Sequence, residues 1–209
     1  MNDIKRRDQG LAYYSQSIKP ALQFFWCKFW IKQINKSIPF NMPKINLILK
    51  IIGVKTGKGC IIETPFRCAI GKNTKIGDRL YSNVNLLLED EGGITIGDDV
   101  FIGPNVCICT AGHPVHHEMR NTRFEYGIPV TIGNNVWLGA NVLVLPGVTI
   151  GDNTVIGGGS VVTKDIPANV VAVGNPCHVL REITDDEKQY YFKDRKFDDE
   201  FWKKFPELK

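Results

Sequence analysis

Three of the four histidines in this chain lie within five positions, in the segment TAGHPVHHEM. They are His113, His116 and His117. A neutral imidazole can take up a proton near pH 7 and return it, and it is also a common metal ligand. With the adjacent Glu118, the three could supply a general base or the donors of a zinc site. Spacing alone leaves both open, because the elements around the segment set the direction of each side chain.

Those elements repeat with a period of six residues. From Ile132 the sequence reads IGNNVW, LGANVL, VLPGVT, IGDNTV, IGGGSV and VTKDIP. The same register appears from Ile96 to Cys107, and a degenerate version begins at Ile70. A helix does not keep positions six apart on one face, and a single strand with this pattern would have to run implausibly long without a turn. Short strands joined by Gly-Asn and Gly-Asp corners, three to a coil, would stack each aliphatic residue over its counterpart eighteen residues on. The repeat therefore predicts a parallel β-helix of triangular section.

The hexads, the loop GHPVHHE and the closing segment SVVTKDIPANVVAVGNPCHVLREI resemble the left-handed β-helix acyltransferases, most closely the galactoside and maltose O-acetyltransferases. The resemblance covers about residues 58–195. It implies an all-β core, a left-handed parallel β-helix of hexapeptide repeats, with an N-terminal helical segment and a short C-terminal helical tail. It also implies a homotrimer with active sites between subunits. The reaction it implies is direct transfer of acetyl from acetyl-CoA to a hydroxyl of a sugar or polysaccharide precursor.

These observations predict three parts of the chain. A helical leader or cap is expected at 1–57, the β-helix domain at 58–183 and a tail at 184–209. The β-helix domain contains an inserted active-site loop at 109–130, because these residues interrupt the repeats. The tail is charged and bears aromatic residues, and we expect it to form a helix on the trimer surface.

The resemblance assigns the catalytic roles to two residues. His113 matches the loop histidine that acts as general base, and Asn83, in LYSNVNL, matches an asparagine that binds the acceptor and the intermediate. An ordinary corner asparagine remains the alternative for Asn83. Direct transfer from an activated thioester requires no metal, so we expect no metal site. His116 and His117 are then polar loop residues that shape the acceptor cleft or face solvent.

Binding residues follow by position within the matched motifs. Tyr81, Asp90 and Glu91 are expected to bind the acceptor, although Glu91 stands where the family has aspartate. Expected acetyl-CoA contacts are Trp137, Ala140, Gly158, Thr163, Lys164 and Arg181. Small side chains would let the extended pantetheine arm lie close to the coil, and the two cations could neutralise phosphates. Trp137 at a trimer contact is the alternative to Trp137 in the groove.

The first 55 residues do not match the family pattern, and the acidic motif of its leader is absent from them. They hold ten Lys and Arg against two Asp, a charge of +8, so the remainder carries −4 of the net +4. The apolar residues of this segment are spaced as in an amphipathic helix. They are Leu22, Phe25, Trp26, Phe29, Trp30 and Ile31. We expect this helix to cap the open end of the coil. Its lysines and tryptophans also favour peripheral contact with a membrane.

Other classes of function stay open. One is a transferase of the same fold that acts on a streptogramin, an amino-sugar nitrogen or serine. Another is a non-catalytic hexapeptide-repeat scaffold, against which His113, Asn83 and Lys164 together argue. No nucleic-acid partner is expected. Because no apolar run approaches roughly 18 residues, we expect a cytoplasmic protein, with the inner face of the membrane as the alternative. The six scattered cysteines are expected to be reduced.

Overall fold

The computed structural model describes residues 2–37 and 41–208, so residues 1, 38–40 and 209 of the expected leader and tail lie outside the described residues. The leader holds three helices and one short strand. They are α1 (Asp3–Asp8), β1 (Tyr13–Tyr14), α2 (Ile18–Asn35) and α3 (Met42–Ile51).

Short strands then wind the chain into coils. Before the loop they are β2 (Lys55–Thr56), β3 (Ile61–Ile62), β4 (Phe66–Cys68), β5 (Thr74–Ile76), β6 (Tyr81–Ser82), β7 (Leu86–Glu89), β8 (Ile94–Ile96), β9 (Phe101–Ile102) and β10 (Cys107–Cys109). The loop contains β11 (Ala111–Gly112), α4 (His117–Asn121) and β12 (Phe124–Gly127). After it come β13 (Val130–Ile132), β14 (Trp137–Leu138), β15 (Leu143–Val144), β16 (Thr149–Ile150), β17 (Val155–Ile156), β18 (Val161–Val162), β19 (Val170–Val173) and β20 (His178–Glu182).

The coil strands form three parallel sheets, which are the faces of a prism. Face 1 contains β2, β5, β8, β13 and β16. Face 2 contains β3, β6, β9, β14, β17 and β19, with β20 antiparallel at its end. Face 3 contains β4, β7, β10, β15 and β18. Each coil runs from face 1 to face 2 to face 3. We refer below to the 2/3 corner, between faces 2 and 3, and to the 3/1 corner, where one coil passes to the next.

The predicted repeat fills the interior of the prism. The residues that begin the hexads are each at most 1% exposed: Ile132, Leu138, Val144, Ile150, Ile156 and Val162. The corners carry asparagines with positive φ, a conformation that asparagine tolerates better than most residues. Asn135 and Asn153 have φ of 55° and 57°, and their side chains are joined by a 2.9 Å hydrogen bond from one coil to the next. A parallel β-helix of hexapeptide repeats is therefore the fold of this chain.

The coils before the loop are longer than the predicted eighteen residues. Ile61, Tyr81 and Phe101 are in register, so each coil there advances by twenty (81 − 61 and 101 − 81). Trp137 and Val155, after the loop, are eighteen apart. The two extra residues fall at the 3/1 corner. Before the loop, β4 of face 3 begins at residue 66 and β5 of face 1 begins eight residues later, at 74. After the loop, β15 of face 3 begins at 143 and β16 of face 1 begins only six residues later, at 149. Ile70 lies in this widened corner instead of beginning a hexad.

Helices α2 and α3 close the amino-terminal end of the prism. β4 is the edge strand of face 3, and Asn35 of α2 pairs with it as another strand would. Its Nδ2 donates to the Phe66 carbonyl and its Oδ1 accepts from the Phe66 N–H, both at 2.9 Å. Cys27 of α2 donates its thiol to the Cys68 carbonyl at 3.5 Å. The expected cap is present, and it covers an edge that would otherwise accept another strand.

α2 is not the amphipathic helix that was expected, because apolar side chains occupy two of its sides. Leu22, Phe25, Trp26 and Phe29 are exposed, Trp30 is half-buried, and of the predicted set only Ile31 is buried. The face that packs on the coil consists of Pro20, Cys27, Ile31 and Ile34. Both sides of α2 are apolar, so its spacing alone does not choose between them.

The tail is not the single helix that was expected. A 3-10 helix (Asp185–Gln189) is followed by the hairpin β21 (Tyr190–Phe192) and β22 (Arg195–Lys196), then by α5 (Asp199–Lys204) and a second 3-10 helix (Pro206–Leu208). Phe197 stacks on Phe201 with ring centroids 3.9 Å apart, which gives the tail its own small aromatic cluster. All six cysteines of the chain are free thiols. In residues 2–37 and 41–208, no helix has both the length and the apolar character that crossing a bilayer requires.

Candidate active site

The insertion at the 3/1 corner folds as a hairpin that binds the leader. β11 pairs antiparallel with β12, and the other edge of β12 pairs with β1, which places Tyr13 opposite Glu125. The leader and the loop thus form one three-stranded sheet. The short extended segment AYYS and the alternating FEYG are the only sequence signals of this pairing.

His113 directly follows β11. Its Nδ1 lies 3.4 Å from the carbonyl oxygen of Phe124. A carbonyl oxygen can only accept, so this long hydrogen bond assigns the proton to Nδ1 and leaves the lone pair on Nε2. The ring is partly exposed, in a loop that β1 and β12 hold against the coil. This is the tautomer that a general base acting through Nε2 requires.

The two neighbouring histidines are exposed and stack on each other. The ring centroids of His116 and His117 are 4.7 Å apart, and Nδ1 of His116 lies 4.0 Å from a carboxylate oxygen of Glu118. Within the two described ranges, 2–37 and 41–208, His, Cys, Asp and Glu form no group of three that could hold a metal ion. Of the three loop histidines, His113 is the one whose ring contacts the backbone of β12.

Asn83 lies at the 2/3 corner with its side-chain amide held on both sides. Its Oδ1 accepts a 2.7 Å hydrogen bond from the N–H of Val84, which identifies the oxygen. Its Nδ2 donates at 3.5 Å to the hydroxyl of Tyr81, and that hydroxyl donates to the carboxylate of Glu63. The bond to Glu63 raises the pKa of Tyr81, so the phenol keeps its proton. One N–H of the Asn83 amide is left for an outside acceptor.

Glu63 was missed by the sequence analysis, although its position is predictable once the coil length is known. It lies one coil below Asn83, because the two are twenty residues apart and this coil advances by twenty. Tyr81, for which acceptor binding stays a prediction, links these two residues from the outer surface of face 2.

Three of the predicted acetyl-CoA contacts share this side of the prism with Asn83. Ala140 and Gly158 lie at the 2/3 corner, two and three coils above it. A Cβ added at Gly158 would come 3.1 Å from the carbonyl oxygen of Ala140, so successive coils approach closely here. Trp137 is 55% exposed on the outer surface of face 2, in register with Phe101 below it. Small corner residues beside an exposed indole form a shallow strip along the coil axis.

The other predicted contacts lie elsewhere. Thr163 and Lys164 are exposed at the 3/1 corner, the corner that carries the His113 loop. Arg181 lies on β20, and its guanidinium is 2.7 Å from the carboxylate of Glu187, which raises the pKa of Arg181. A phosphate would have to compete with Glu187 for Arg181, so Lys164 is the more accessible of the two cations.

The structure contradicts the expected role of Asp90 in acceptor binding. Its side chain is completely buried at the widened 3/1 corner. One carboxylate oxygen accepts from the N–H of Ile70 at 2.8 Å and the other from the hydroxyl of Thr74 at 3.0 Å. Asp90 therefore joins two coils where the extra residues would otherwise leave backbone groups unpaired, and it does not reach an acceptor.

Glu91, in contrast, lines a cavity of about 350 Å³ between the leader and the loop. Its Oε2 atom is buried and has no hydrogen-bond partner among the described residues. Burial raises the pKa of Glu91 to about 8. Near neutral pH the side chain is therefore a neutral acid, able to donate a hydrogen bond into the cavity.

The opposite wall of the cavity contains residues that the sequence analysis did not select. Glu125 accepts from the hydroxyl of Ser15 at 2.6 Å and from that of Tyr13 at 3.3 Å. Burial raises the pKa of Tyr13 well above its usual range, so this hydroxyl remains a donor. Strand β12 therefore contributes to both features: the Phe124 carbonyl contacts His113, and the next residue, Glu125, lines the cavity.

Two family models match the coil. One is described as "Bacterial transferase hexapeptide (six repeats)" and matches residues 129–164, and the other as "Hexapeptide repeat of succinyl-transferase" and matches residues 93–115. The galactoside O-acetyltransferase of Escherichia coli (strain K12) is 51% identical over 164 residues, which are 78% of this chain and 81% of that protein. The chain belongs to the hexapeptide-repeat acetyltransferases. It is accordingly an acyltransferase.

Solved structures extend this likeness to the leader. A galactoside acetyltransferase in complex with coenzyme A superposes with a TM-score of 0.90 at 44% identity, over 95% of this chain and 99% of that one. A maltose O-acetyltransferase from Clostridium difficile 630 gives 0.83 at 40% identity, over 88% and 98%. A match over 95% of the chain cannot omit the first 55 residues. The leader, whose sequence does not match the family pattern, therefore has a structural counterpart in this relative.

In this hexapeptide acetyltransferase the candidate residues fall into two half-sites, one on each side of face 3. The asparagine half-site lies at the 2/3 corner and face 2 and contains Asn83, Tyr81, Trp137, Ala140 and Gly158. The histidine half-site lies at the 3/1 corner and contains His113, Glu91, Glu125, Thr163 and Lys164. One chain does not bring these two half-sites together.

Proposed function

We propose that this hexapeptide acetyltransferase transfers acetyl from acetyl-CoA to a hydroxyl of a sugar or polysaccharide precursor, with His113 as the general base. The observation that carries this proposal is the contact of His113 Nδ1 with the carbonyl of Phe124, on the strand whose next residue, Glu125, lines the polar cavity. The galactoside and maltose acetyltransferases that resemble this chain support the class of acceptor.

The reaction needs one proton acceptor and one oxyanion donor. Nε2 of His113 takes the proton of the acceptor hydroxyl as its oxygen attacks the carbonyl carbon of the thioester. The carbonyl becomes a tetrahedral oxyanion, to which the free N–H of Asn83 donates. The intermediate then expels the thiolate of CoA, and the His113 imidazolium returns the proton to that sulfur. The proton balance closes, and no metal takes part.

The cavity between the leader and the loop suits a polyhydroxylated acceptor. A sugar hydroxyl can both donate and accept, so it needs partners of both kinds. The protonated carboxyl of Glu91 offers a donor, and the carboxylate of Glu125 offers an acceptor already oriented by Tyr13 and Ser15. This cavity is the proposed acceptor site.

The separation of the half-sites supports a homotrimer with shared active sites. The family resemblance implies that sites lie between subunits, and the two half-sites occupy different corners of one prism. In a ring of three, the histidine half-site of one subunit would face the asparagine half-site of the next. Acetyl-CoA would lie between them, with its pantetheine arm against Trp137, Ala140 and Gly158. Thr163 and Lys164 from the other subunit would hold its phosphates, with a weaker contribution from Arg181.

Thiol release from acetyl-CoA tests the proposal. The acceptors are galactosides, glucosides, maltose, an amino sugar, a streptogramin and serine, and the enzymes are wild type, His113→Ala and His116→Ala. We expect release with sugars, a loss of roughly 10² to 10⁴-fold in His113→Ala, and near-normal rates in the matched control His116→Ala.

Two results would contradict the proposal. One is near-normal turnover by a correctly folded His113→Ala enzyme. The other is release with the streptogramin or serine but with none of the sugars, which would place this enzyme with the other acceptor classes of the same fold.

A further inference from the structure

Helix α2 has a second apolar face that is largely exposed among the described residues. Its buried face packs on the coil end through Cys27, Ile31 and Ile34. A helix turns by about 100° per residue, so positions 18, 22, 25 and 29 lie on the opposite side. We call Ile18, Leu22, Phe25, Trp26 and Phe29 the outer stripe. These side chains are 79%, 62%, 68%, 53% and 57% exposed, respectively.

A row of lysines borders the outer stripe. Lys28, Lys32 and Lys36 follow one another at four-residue intervals and are all exposed. The ammonium of Lys28 lies over the ring of Phe24, 4.3 Å from its centroid. α2 itself contains no acidic residue. One side of this helix is therefore aromatic and aliphatic, with a row of lysines along its border.

An exposed apolar patch of this kind marks a contact with another surface. A second copy of α2 would bring another row of lysines and no carboxylate to neutralise the first. An anionic bilayer offers both complements, because its acyl region takes aromatic and aliphatic side chains and its headgroups attract lysines. Residues 1–55 contain more Lys and Arg than Asp, so their net charge is positive, like that of the lysine row.

We propose that the outer stripe of α2 binds the surface of an anionic lipid bilayer, lying flat in the interface. Asn35 and Cys27 fix α2 to the β4 edge, so the bilayer would extend across the amino-terminal end of the coil. Phe25 of the outer stripe also lines the cavity that contains Glu91. If the proposed function holds, the acceptor site opens beside the bilayer, where a lipid-borne sugar would be presented.

Co-sedimentation of the full chain with vesicles tests the binding without any need for catalysis. The vesicles are phosphatidylcholine alone and phosphatidylcholine mixed with phosphatidylglycerol. We expect sedimentation with the mixed vesicles, little with phosphatidylcholine alone, and weakening as salt is raised. Leu22→Gln/Phe29→Gln should need roughly tenfold or more lipid for half-maximal binding, since the apolar contact is lost. Lys28→Gln/Lys32→Gln/Lys36→Gln should lose the preference for the anionic lipid.

Controls separate this proposal from the proposed function. Phe192→Gln/Leu208→Gln removes exposed apolar groups from the tail and should bind vesicles as wild type does. Leu22→Gln/Phe29→Gln lies outside the acceptor cavity, so its acetyl transfer to a free sugar should be unchanged. The proposal is overturned if wild type ignores both vesicle types or if the stripe variant binds equally well. It is also overturned if the outer stripe mediates only a concentration-dependent association of the protein with itself. None of these results depends on which acceptor the enzyme uses.

Discussion

The orientation of the Asn83 amide depends on a side chain that does not itself reach the oxyanion. Tyr81 accepts from Nδ2 of Asn83 and donates to Glu63, so it is a positioning residue. Tyr81→Phe should lower kcat roughly tenfold, or about 1.4 kcal/mol, because the amide loses one of its two fixed contacts. The KM for acetyl-CoA should change little. Asn83→Ala should cost more, about 10² to 10³-fold in kcat.

Steady-state kinetics of Tyr81→Phe beside Tyr191→Phe, an exposed tail tyrosine, measures this effect. Glu63→Gln should preserve part of the Asn83–Tyr81–Glu63 hydrogen-bond chain, because the amide oxygen can still accept from the Tyr81 hydroxyl. A Tyr81→Phe enzyme with unchanged kcat would show that the phenol does not position Asn83.

The raised pKa of Glu91, about 8, has a consequence for stability. In the unfolded chain this carboxyl loses its proton near its ordinary pKa of 4.5, whereas the folded protein keeps it until about 8. The folded state binds more protons between these values, so the free energy of unfolding should fall as pH rises from about 5 to 8. The contribution is at most a few kcal/mol.

Urea unfolding at both pH values, with wild type and Glu91→Gln, isolates this contribution. The amide cannot ionise, so the variant should lose less stability over the same interval. An equal loss in the two proteins would mean that Glu91 ionises normally in the fold.

The sequence motifs predicted roles for His113 and Asn83, which stay predictions, but they could not separate Asp90 from its neighbour Glu91. The two carboxyls are adjacent in the chain, and which of them turns inward depends on the two extra residues of the widened 3/1 corner. Glu125 and Tyr13 carry no motif of their own. Only the pairing of two segments more than a hundred residues apart places them in one cavity.

Asn35 joins the helical cap to the coil edge. Asn35 occupies both the N–H and the carbonyl of Phe66 on the open edge of β4. Asn35→Ala leaves both groups without their partner, which should cost about 1 to 3 kcal/mol of unfolding free energy. Urea denaturation beside Asn46→Ala, an exposed asparagine on α3, provides the measurement. Equal stability of the two variants would show that water satisfies Phe66 as well as Asn35 does.

The regular elements were predictable where one periodicity dominated. The hexads after the loop predicted both the buried residues and the corners, because every sixth side chain must enter the prism. Helix α2 defeated the same reasoning because it has two apolar faces, one for the coil and one exposed. The strand β1 was also missed, since two residues of strand carry almost no pattern and gain their structure from β12.

The proposed active site requires more than one chain, since face 3 separates the two half-sites. The sequence predicted the site residues without assigning them to two half-sites. The matched motifs do not show which corner of the prism each residue occupies. The chain mass is 23.5 kDa, and light scattering should give three times that value. A monomeric, fully active enzyme would contradict the shared site.

Mixing two inactive variants tests the shared site most directly. His113→Ala keeps Asn83, and Asn83→Ala keeps His113, so a site between subunits can be complete only when the two variants are neighbours. Co-expression or co-refolding at equal amounts should restore about a quarter of wild-type sites for random assembly in a ring. Each variant refolded alone should stay inactive. Recovery of thiol release in the mixture is the result predicted here, whereas a mixed trimer that remains as inactive as its parents would show that His113 and Asn83 of one chain serve the same site.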